Sequence, residues 1–289
     1  MNASFLSSVL LATAMGATAL AATAEKPAEQ APAKKRLVVC TVTFGFRHSC
    51  IPIAEAALAD MDAKSDDIEI VEWLRQPENK ADGKASLAKL DPQWLRENKI
   101  DGVIFCNTTG DLPLPDPEGL VKWVEEGHAF IGMHAATDTL KNFSPYIQLV
   151  GGCFQGHGPQ VDALLHACDK DHAVNAGIGD TWQLKKEEIY HIKDQNRDAV
   201  HLVWAMRNDP NDKAKTGTYP IAWCSEAQKG RVFYTALGHR EDLWSLDPAQ
   251  KDRVNPVETA EQFRAHVMAG IRWALGTAKG DAKPNPEWK

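Results

Sequence analysis

Short apolar runs alternate with helical patterns through the first half of the chain, and this feature most constrains the fold. The runs, rich in β-branched residues, occupy 36–42, 68–73, 102–106 and 129–133. Between them, 51–61 repeats apolar residues at helical spacing, and a second helix is predicted over 119–126. Strands that alternate with helices form a parallel sheet with helices on both faces. The pattern predicts an α/β fold with a doubly wound, mostly parallel sheet.

The second half of the chain is richer in strands and closes on a helix. Candidate strands lie at 161–167, 188–193, 200–206, 219–224 and 231–237. The closing helix is predicted over about 258–275, with apolar residues along one side. Neither an internal repeat nor a linker interrupts 36–276, so we interpret this stretch as one domain. A polar tail is expected at 277–289.

The N-terminal 24 residues have the composition of a secretory signal peptide. They contain no charged side chain, and Ala22, Thr23 and Ala24 form an A-x-A cleavage pattern. The usual N-terminal Lys or Arg is missing, and the alternative interpretation is a membrane anchor. With a signal peptide at 1–24, residues 25–35 form a disordered leader and the protein is exported, either to the periplasm or to the extracellular space. No membrane span is expected after its removal.

Charge and motif content argue against several classes of protein. The chain has 32 Lys and Arg against 39 Asp and Glu, a formal net charge of -7, whereas a nucleic-acid binder usually needs a basic face. Neither a Walker A sequence nor a dinucleotide-binding G-x-G-x-x-G occurs, so no nucleotide cofactor is expected. The expected partner is a small molecule, and the oligomeric state is left open.

A polar cluster follows each of four predicted strands. The four clusters are residues 43–48, 107–111, 134–139 and 238–242. Ligands of open parallel sheets bind beyond the carboxyl ends of the strands, so these clusters should converge on one cleft. For any one of these residues, a structural role is the alternative, because a loop histidine is more often a solvated group or a hydrogen-bonding cap than a ligand.

These clusters, in this order, resemble the ThuA-like (trehalose utilisation) family, which has a flavodoxin-like fold similar to that of class I glutamine amidotransferases. The matching stretches are TFGFRH at 43–48, NTTG at 107–110, GMHAATDT at 132–139, GGCF at 151–154, EEIY at 187–190, YPIAW at 219–223 and GRVFYTALGHRE at 230–241. The amidotransferases carry a Cys nucleophile at the turn after the fourth strand, where this chain has His134. Thiol-based glutamine hydrolysis is therefore not expected.

The resemblance implies action on trehalose-type sugars or their oxidised (3-keto) derivatives, by hydrolysis, elimination or proton transfer. The residues it implies are His134, Asp138 and Glu188 for catalysis, with Arg47, His48, Asn107, Thr108, Tyr190 and Arg240 for substrate binding. His134, His157 and His239 are the expected ligands of Zn²⁺ or Mn²⁺. His134 is expected at the floor of the cleft, partly exposed. The alternatives are a non-catalytic carbohydrate-binding or accessory module and a hydrolase with a different nucleophile.

Two cysteines and one loop depart from the family pattern. Cys50 stands where Ser is usual, and Cys153 lies in a Gly-Gly-x-Phe motif that normally carries another residue. Since the resemblance places both near the cleft, a Cys50–Cys153 disulfide is one hypothesis, and two separate thiols is the other. His157 is followed by Gly158 and Pro159 rather than by Pro and an aromatic residue, which changes one wall of the expected pocket.

Overall fold

The structure, a computed structural model, describes residue 1, residues 33–76 and residues 80–285. The predicted signal peptide lies outside the described residues apart from Met1, and so does most of the predicted leader. In the described part of the chain, no helix combines the length and the apolar character needed to cross a membrane.

The strands of the described residues form one large sheet and a small two-stranded ribbon. In chain order they are β1 (Lys35–Cys40), β2 (Ile68–Leu74), β3 (Gly102–Cys106), β4 (Ala129–Met133), β5 (Cys153–His157), β6 (Val161–Ala167), β7 (Thr181–Glu187), β8 (Tyr190–Lys193), β9 (Val200–Asn208), β10 (Thr216–Ala227) and β11 (Gly230–Thr235). The large sheet has the order β2-β1-β3-β4-β11-β10-β9-β6-β7, and β5 pairs with β8 in the ribbon.

One half of the large sheet is parallel and the other half is antiparallel. The parallel half runs from β2 to β11, which pairs with β4 although about 100 residues separate them in the chain. From β11 to β7 every pairing is antiparallel. The α/β fold predicted from the alternating pattern is confirmed, and the strand-rich second half of the chain supplies the antiparallel extension.

The helices lie mainly between the strands of the parallel half. They are α1 (Ile51–Ala63), α2 (Lys80–Leu87), α3 (Pro92–Glu97), α4 (Pro117–Glu125), α5 (Ser144–Val150), α6 (Glu241–Trp244) and α7 (Val257–Ala274). Local sequence fixes several starts, since the carboxylates of Asp91 and Asp116 accept backbone N–H groups at the beginnings of α3 and α4. A proline in the first turn of each helix gives up a donor that would have no intrahelical partner.

Apolar residues of the strands pack on both faces of the sheet, as a doubly wound fold requires. In β1, Leu37 and Val39 join a core with α1 and α7, whereas Val38 and Cys40 join a second core with α3, α4 and α5. Successive strand residues point to opposite faces, so the unbroken apolar run of β1 is explained by burial on both sides.

The end of the described chain is bonded to the antiparallel half. His172 donates from Nε2 to the Asp281 carbonyl at 3.1 Å, and His201 donates from Nδ1 to the Lys283 carbonyl at 2.6 Å. Asn285 exchanges two hydrogen bonds with the Leu202 backbone, at 2.7 and 3.2 Å. The segment predicted as a polar tail is therefore attached to the domain through residue 285.

Candidate functional site

The loops after β1, β3 and β4 are joined to one another beyond the sheet. Isolated bridges connect Thr43 with Thr109 and Gly110 with Thr139, so the parallel pairing continues past the strand ends. Gly110 has φ +77°, and a Cβ there would lie 2.6 Å from the Gly45 nitrogen. Only glycine fits this close approach. The three loops consequently form one continuous wall at the carboxyl edge of the sheet.

Four side chains from distant parts of the chain meet at this edge. They are His48 before α1, His134 after β4, Glu188 before β8 and His239 after β11. One nitrogen or oxygen atom from each lies within 4.8 Å of those of the other three. We call these four residues the His3Glu cluster. The strand-end clusters after β1, β4 and β11 thus converge as predicted from the topology.

His134 occupies a sharp turn with φ 47° directly after β4 and is completely buried. Its Nδ1 lies 2.7 Å from the Ala236 carbonyl, which can only accept, so the ring proton is on Nδ1 and the lone pair is on Nε2. Burial lowers the pKa of His134 and favours this neutral ring. The expected partial exposure of His134 is wrong, because Tyr190 covers its ring with a centroid separation of 4.3 Å.

Glu188 is the anionic centre of the cluster. Its Oε1 lies 3.5 Å from His134 Nε2 and 3.3 Å from His239 Nδ1. Burial alone would raise the pKa of Glu188, but the contact with His239 holds that pKa well below its usual range. Glu188 is therefore ionised at neutral pH.

His239 and His48 complete the cluster, and their pKa values are shifted in opposite directions. Burial would lower the pKa of His239, but the neighbouring carboxylates of Glu188 and Glu187 raise it. The other ring nitrogen, Nε2, lies 2.9 Å from Gln160 Nε2 and accepts a hydrogen bond from that amide nitrogen. His48 is nearly buried, and desolvation together with the nearby His134 and His239 lowers its pKa to about 3.

Three ring nitrogens of the cluster are buried without a hydrogen-bond partner among the described residues. They are His48 Nδ1, His134 Nε2 and His239 Nδ1. Buried polar atoms in folded proteins are nearly always satisfied. Two ligands bound at 2.0–2.1 Å with tetrahedral geometry lie about 3.4 Å apart, close to the 3.5 and 3.3 Å separations around Glu188 Oε1. The donor set and its spacing therefore fit a divalent metal ion.

His157, an expected metal ligand, lies beside the cluster and is not one of its members. Its side chain is 42% exposed, and its Nδ1 lies 3.3 Å from Glu188 Oε2. The same nitrogen donates to the Gly158 carbonyl at 2.8 Å, so it carries the proton and has no lone pair to offer. His48, expected only to bind substrate, occupies the fourth place in the cluster instead.

Several predicted site residues are engaged elsewhere. Asp138 pairs with Lys141 at 2.6 Å, and Arg240 pairs with Asp242 at 2.9 Å. Arg47 is exposed and donates to the carbonyl of Thr41 at 3.1 Å. These contacts hold loops around the cleft, and none of the three residues belongs to the His3Glu cluster.

The two polar residues after β3 are buried in the wall. Thr108 shares a 2.8 Å hydrogen bond with Thr139, which connects the β3 and β4 loops. Asn107 has φ 55°, and its buried Oδ1 lacks a hydrogen-bond partner among the described residues. Tyr190, also predicted to bind substrate, has its ring over His134.

Glu187 is a residue supporting the cluster that sequence analysis missed. It is fully buried, and its Oε1 accepts the backbone N–H groups of Gly238 and His239 at 3.0 and 2.9 Å. Burial raises the pKa of this carboxyl to about 7. The adjacent acidic pair Glu187–Glu188 was the available signal, since alternation in an extended segment turns one side chain inward and the other toward the cleft.

All six cysteines are free thiols in the structure. Cys50 donates to the Gly238 carbonyl at 3.3 Å, and Cys153 lies 3.7 Å from the carbonyl of its neighbour Phe154. Cys50 and Cys153 are therefore two separate thiols in the structure, and no disulfide joins them. Cys50 thereby supports the same turn that Glu187 holds.

Comparison with known proteins gives one family match and several structural neighbours. A family model named ThuA and described as trehalose utilisation matches residues 36–274. No curated protein matches the sequence. A ThuA-like protein of Parabacteroides merdae superimposes with a TM-score of 0.63 at 14% identity, covering 89% of this chain and 99% of that one. A ThuA-like protein of Bacteroides uniformis gives 0.58 at 19% identity, with 91% and 100% coverage. At these identities the likeness concerns the fold, which is amidotransferase-like.

Proposed function

Because the chain belongs to the ThuA, or trehalose utilisation, family, we propose that it is an enzyme acting on a trehalose-type sugar or its oxidised (3-keto) derivative. The reaction is placed at the His3Glu cluster and is metal-assisted. One observation carries this proposal: three buried histidine nitrogens without hydrogen-bond partners among the described residues surround an ionised carboxylate at the ligand-binding edge of the sheet.

The donor set indicates the class of ion. Three imidazole nitrogens and one carboxylate oxygen suit Zn²⁺ or Mn²⁺. Bound by His48, His134, Glu188 and His239, such an ion would polarise a ketone and acidify an adjacent C–H bond or a water molecule. The hydrogen bond from His134 Nδ1 to Ala236 fixes the ring orientation that presents Nε2 to the cluster.

His157 is the proposed proton carrier. With its Nδ1 proton shared between Gly158 and Glu188, the neutral ring keeps its lone pair on Nε2. Its exposure makes that lone pair accessible to a ligand in the cleft. A histidine in this state can take up a proton from a sugar and return it at another position.

Two aromatic contacts support a sugar as the ligand. Phe46 is 68% exposed, and its ring meets the His48 ring edge-on at 4.9 Å. An exposed aromatic face at the mouth of a polar cleft suits the apolar face of a pyranose ring. On another side Tyr190 covers the His134 ring, and the Phe154 ring packs against Tyr190 with a centroid separation of 4.3 Å.

Metal content of matched histidine variants tests the proposal. Elemental analysis of the purified native chain should find about one Zn²⁺ or Mn²⁺ per molecule. His48→Ala should lose most of this metal, whereas His157→Ala should keep it, because only His48 belongs to the cluster. Thermal melts of both variants establish that they are folded. Metal lost from His157→Ala and kept by His48→Ala would contradict the proposed ligand set.

Turnover separates an enzyme from a binding module. The metal-loaded chain should convert 3-keto-trehalose, lose that activity on chelation and recover it when the ion is returned. Binding of the sugar without turnover would instead favour the carbohydrate-binding module.

A further inference from the structure

His134 is the member of the His3Glu cluster whose backbone is held in an unfavourable conformation. With φ 47°, it lies in the left-handed region, which residues other than glycine adopt where the surrounding structure enforces it. It begins one turn of 3-10 helix, His134–Asp138, and the residue before that turn provides no side-chain cap. The contacts that keep His134 in this conformation therefore come from other parts of the fold.

The end of β11 provides two such contacts. The Tyr234 hydroxyl donates to the His134 carbonyl at 2.7 Å, and His134 Nδ1 donates to the Ala236 carbonyl at 2.7 Å. The first bond fixes the peptide group that follows His134, and the second fixes the orientation of its ring. Because β11 pairs with β4 up to Met133, the residue before His134, the register of the two strands sets the position of both contacts.

The Tyr234 hydroxyl is itself held in place. Since its one proton is given to His134, it accepts from the Thr137 hydroxyl, at 2.9 Å. The Tyr234 ring packs on Trp223 with centroids 4.2 Å apart, and a Cβ on Gly132 would lie 3.0 Å from the ring. Tyr234 is fully buried, so bulk water does not compete for these bonds.

We propose that Tyr234 is a positioning residue of the candidate site, whose hydroxyl holds the left-handed turn from which His134 presents Nε2 to the His3Glu cluster. Tyr234 is not a member of the cluster and acts through the His134 carbonyl. The inference rests on the proposed function in one respect, namely that the cluster binds a metal ion. Removal of a group that orients a metal ligand typically weakens metal binding by about 10–100-fold.

Tyr146 offers a matched control on the same turn. Its hydroxyl donates to the Ala136 carbonyl at 2.8 Å, and its side chain is as deeply buried as that of Tyr234. Tyr146→Phe and Tyr234→Phe each delete one oxygen atom together with a buried hydrogen bond to a backbone carbonyl, so both should lower stability to a similar extent. The contact with His134 is lost in Tyr234→Phe and kept in Tyr146→Phe.

Titration with Co²⁺ tests the inference, because Co²⁺ binds imidazole and carboxylate ligands and its visible absorption reports their geometry. After treatment with a chelator, the native chain should bind about one Co²⁺ per molecule. Tyr234→Phe should bind Co²⁺ at least tenfold more weakly and with shifted visible bands, whereas Tyr146→Phe should stay within about threefold of native with native bands. Urea unfolding of the metal-free chains establishes that the two variants are folded and similarly destabilised.

Thr137→Val takes the place of Tyr234→Phe should the latter fail to fold. It removes the donor that holds the Tyr234 hydroxyl and should weaken Co²⁺ binding about threefold. Native Co²⁺ affinity in Thr137→Val would then contradict the inference.

The outcomes separate the two proposals. Native affinity and native bands in Tyr234→Phe, or equal changes in Tyr234→Phe and Tyr146→Phe, would overturn the positioning role and leave the proposed function standing. A native chain that binds no Co²⁺ would overturn both.

Discussion

His266 is a completely buried histidine that does not belong to the His3Glu cluster. On α7, its Nδ1 donates to the Val174 carbonyl at 2.8 Å, and its Nε2 accepts from the Thr235 hydroxyl at 3.2 Å. Burial lowers its pKa to about 4, although the bond to Val174 opposes the shift. The ring is therefore neutral in the folded protein well below neutral pH.

This depressed pKa makes stability depend on pH in a defined window. The unfolded chain binds a proton at His266 below about pH 6.5, and the folded chain does so only below about pH 4. Stability should therefore fall as the pH is lowered through this window, by up to about 3 kcal/mol from His266. Urea unfolding at pH 7 and pH 4.5 should show a smaller loss for His266→Gln than for the native chain.

Comparing His266→Gln with the native chain also cancels an opposing contribution to the pH dependence of stability. Glu187, with its pKa raised to about 7, is stabilised in its protonated folded form, so its effect on stability falls as the pH rises from about 4.5 to 7. Both chains contain Glu187, and the difference between them isolates His266. Equal pH dependence in the two chains would contradict the assignment.

At this scale, sequence analysis identified most of the cluster but chose one ligand differently. His134 and His239 were marked by their positions after apolar strands, and Glu188 by the matched motif. The choice between His48 and His157 depends on the burial of His48 and on the ring proton of His157, which the Gly158 carbonyl fixes on Nδ1. The burial of His48 arises from residues distant in the chain, among them His134 and His239, and no local pattern in the sequence encodes it.

Among the elements, α7 approaches the sheet unusually closely at one residue. Gly270 faces the Phe233 ring of β11, and a Cβ on Gly270 would lie 2.0 Å from a ring carbon. Phe263, Val267 and Ile271 of the same helix fill the core on either side of this contact. A glycine within a helix is unfavourable by itself, so its presence here reflects the space that Phe233 takes.

Gly270→Ala should therefore destabilise the protein although it improves helix propensity. The propensity gain is about 1 kcal/mol, and overpacking typically costs 1–3 kcal/mol. We expect urea denaturation to show a free energy of unfolding about 1 kcal/mol below native. In a chain that also carries Phe233→Leu the aromatic ring is absent, so Gly270→Ala should be neutral or stabilising. A stabilising effect in the native background would show that the helix can move away from the ring.

Burial explains why sequence analysis recovered some elements and missed others. β3 and β4 are buried at every residue, so apolar side chains mark their full length. β5 and β7 were missed because they are only half buried and carry Gln, Lys and Glu among few apolar residues. The short α3 and α5 begin at capping or proline signals but contain too few turns for a periodic pattern.

At the scale of the whole molecule, the segment after α7 closes the antiparallel half. His172, His201 and Leu202 each bond to this segment, and the Trp273 indole donates to the Gly280 carbonyl at 3.2 Å. Buried polar groups whose partners are removed cost free energy as well as losing their bonds. The segment is therefore expected to contribute to stability despite its polar sequence.

A chain that ends at Gly276 should be less stable by roughly 2–4 kcal/mol, since it loses several of these partly buried hydrogen bonds. Thermal or urea unfolding measures the difference. A chain that ends at Asn285 keeps every bond described for this segment and is the control. If both truncated chains unfold like the full-length chain, the segment does not stabilise the domain.

The pairing of β11 with β4 has a consequence for the order in which the protein is completed. His48 emerges early in synthesis, but His239 follows a strand that must insert between β4 and β10 after nearly the entire chain exists. Contacts between residues so distant in sequence form slowly, because a long loop has to close first. The cluster is thus completed by a strand that is made late, and a chain that ends before β11 has His48, His134 and Glu188 but lacks His239.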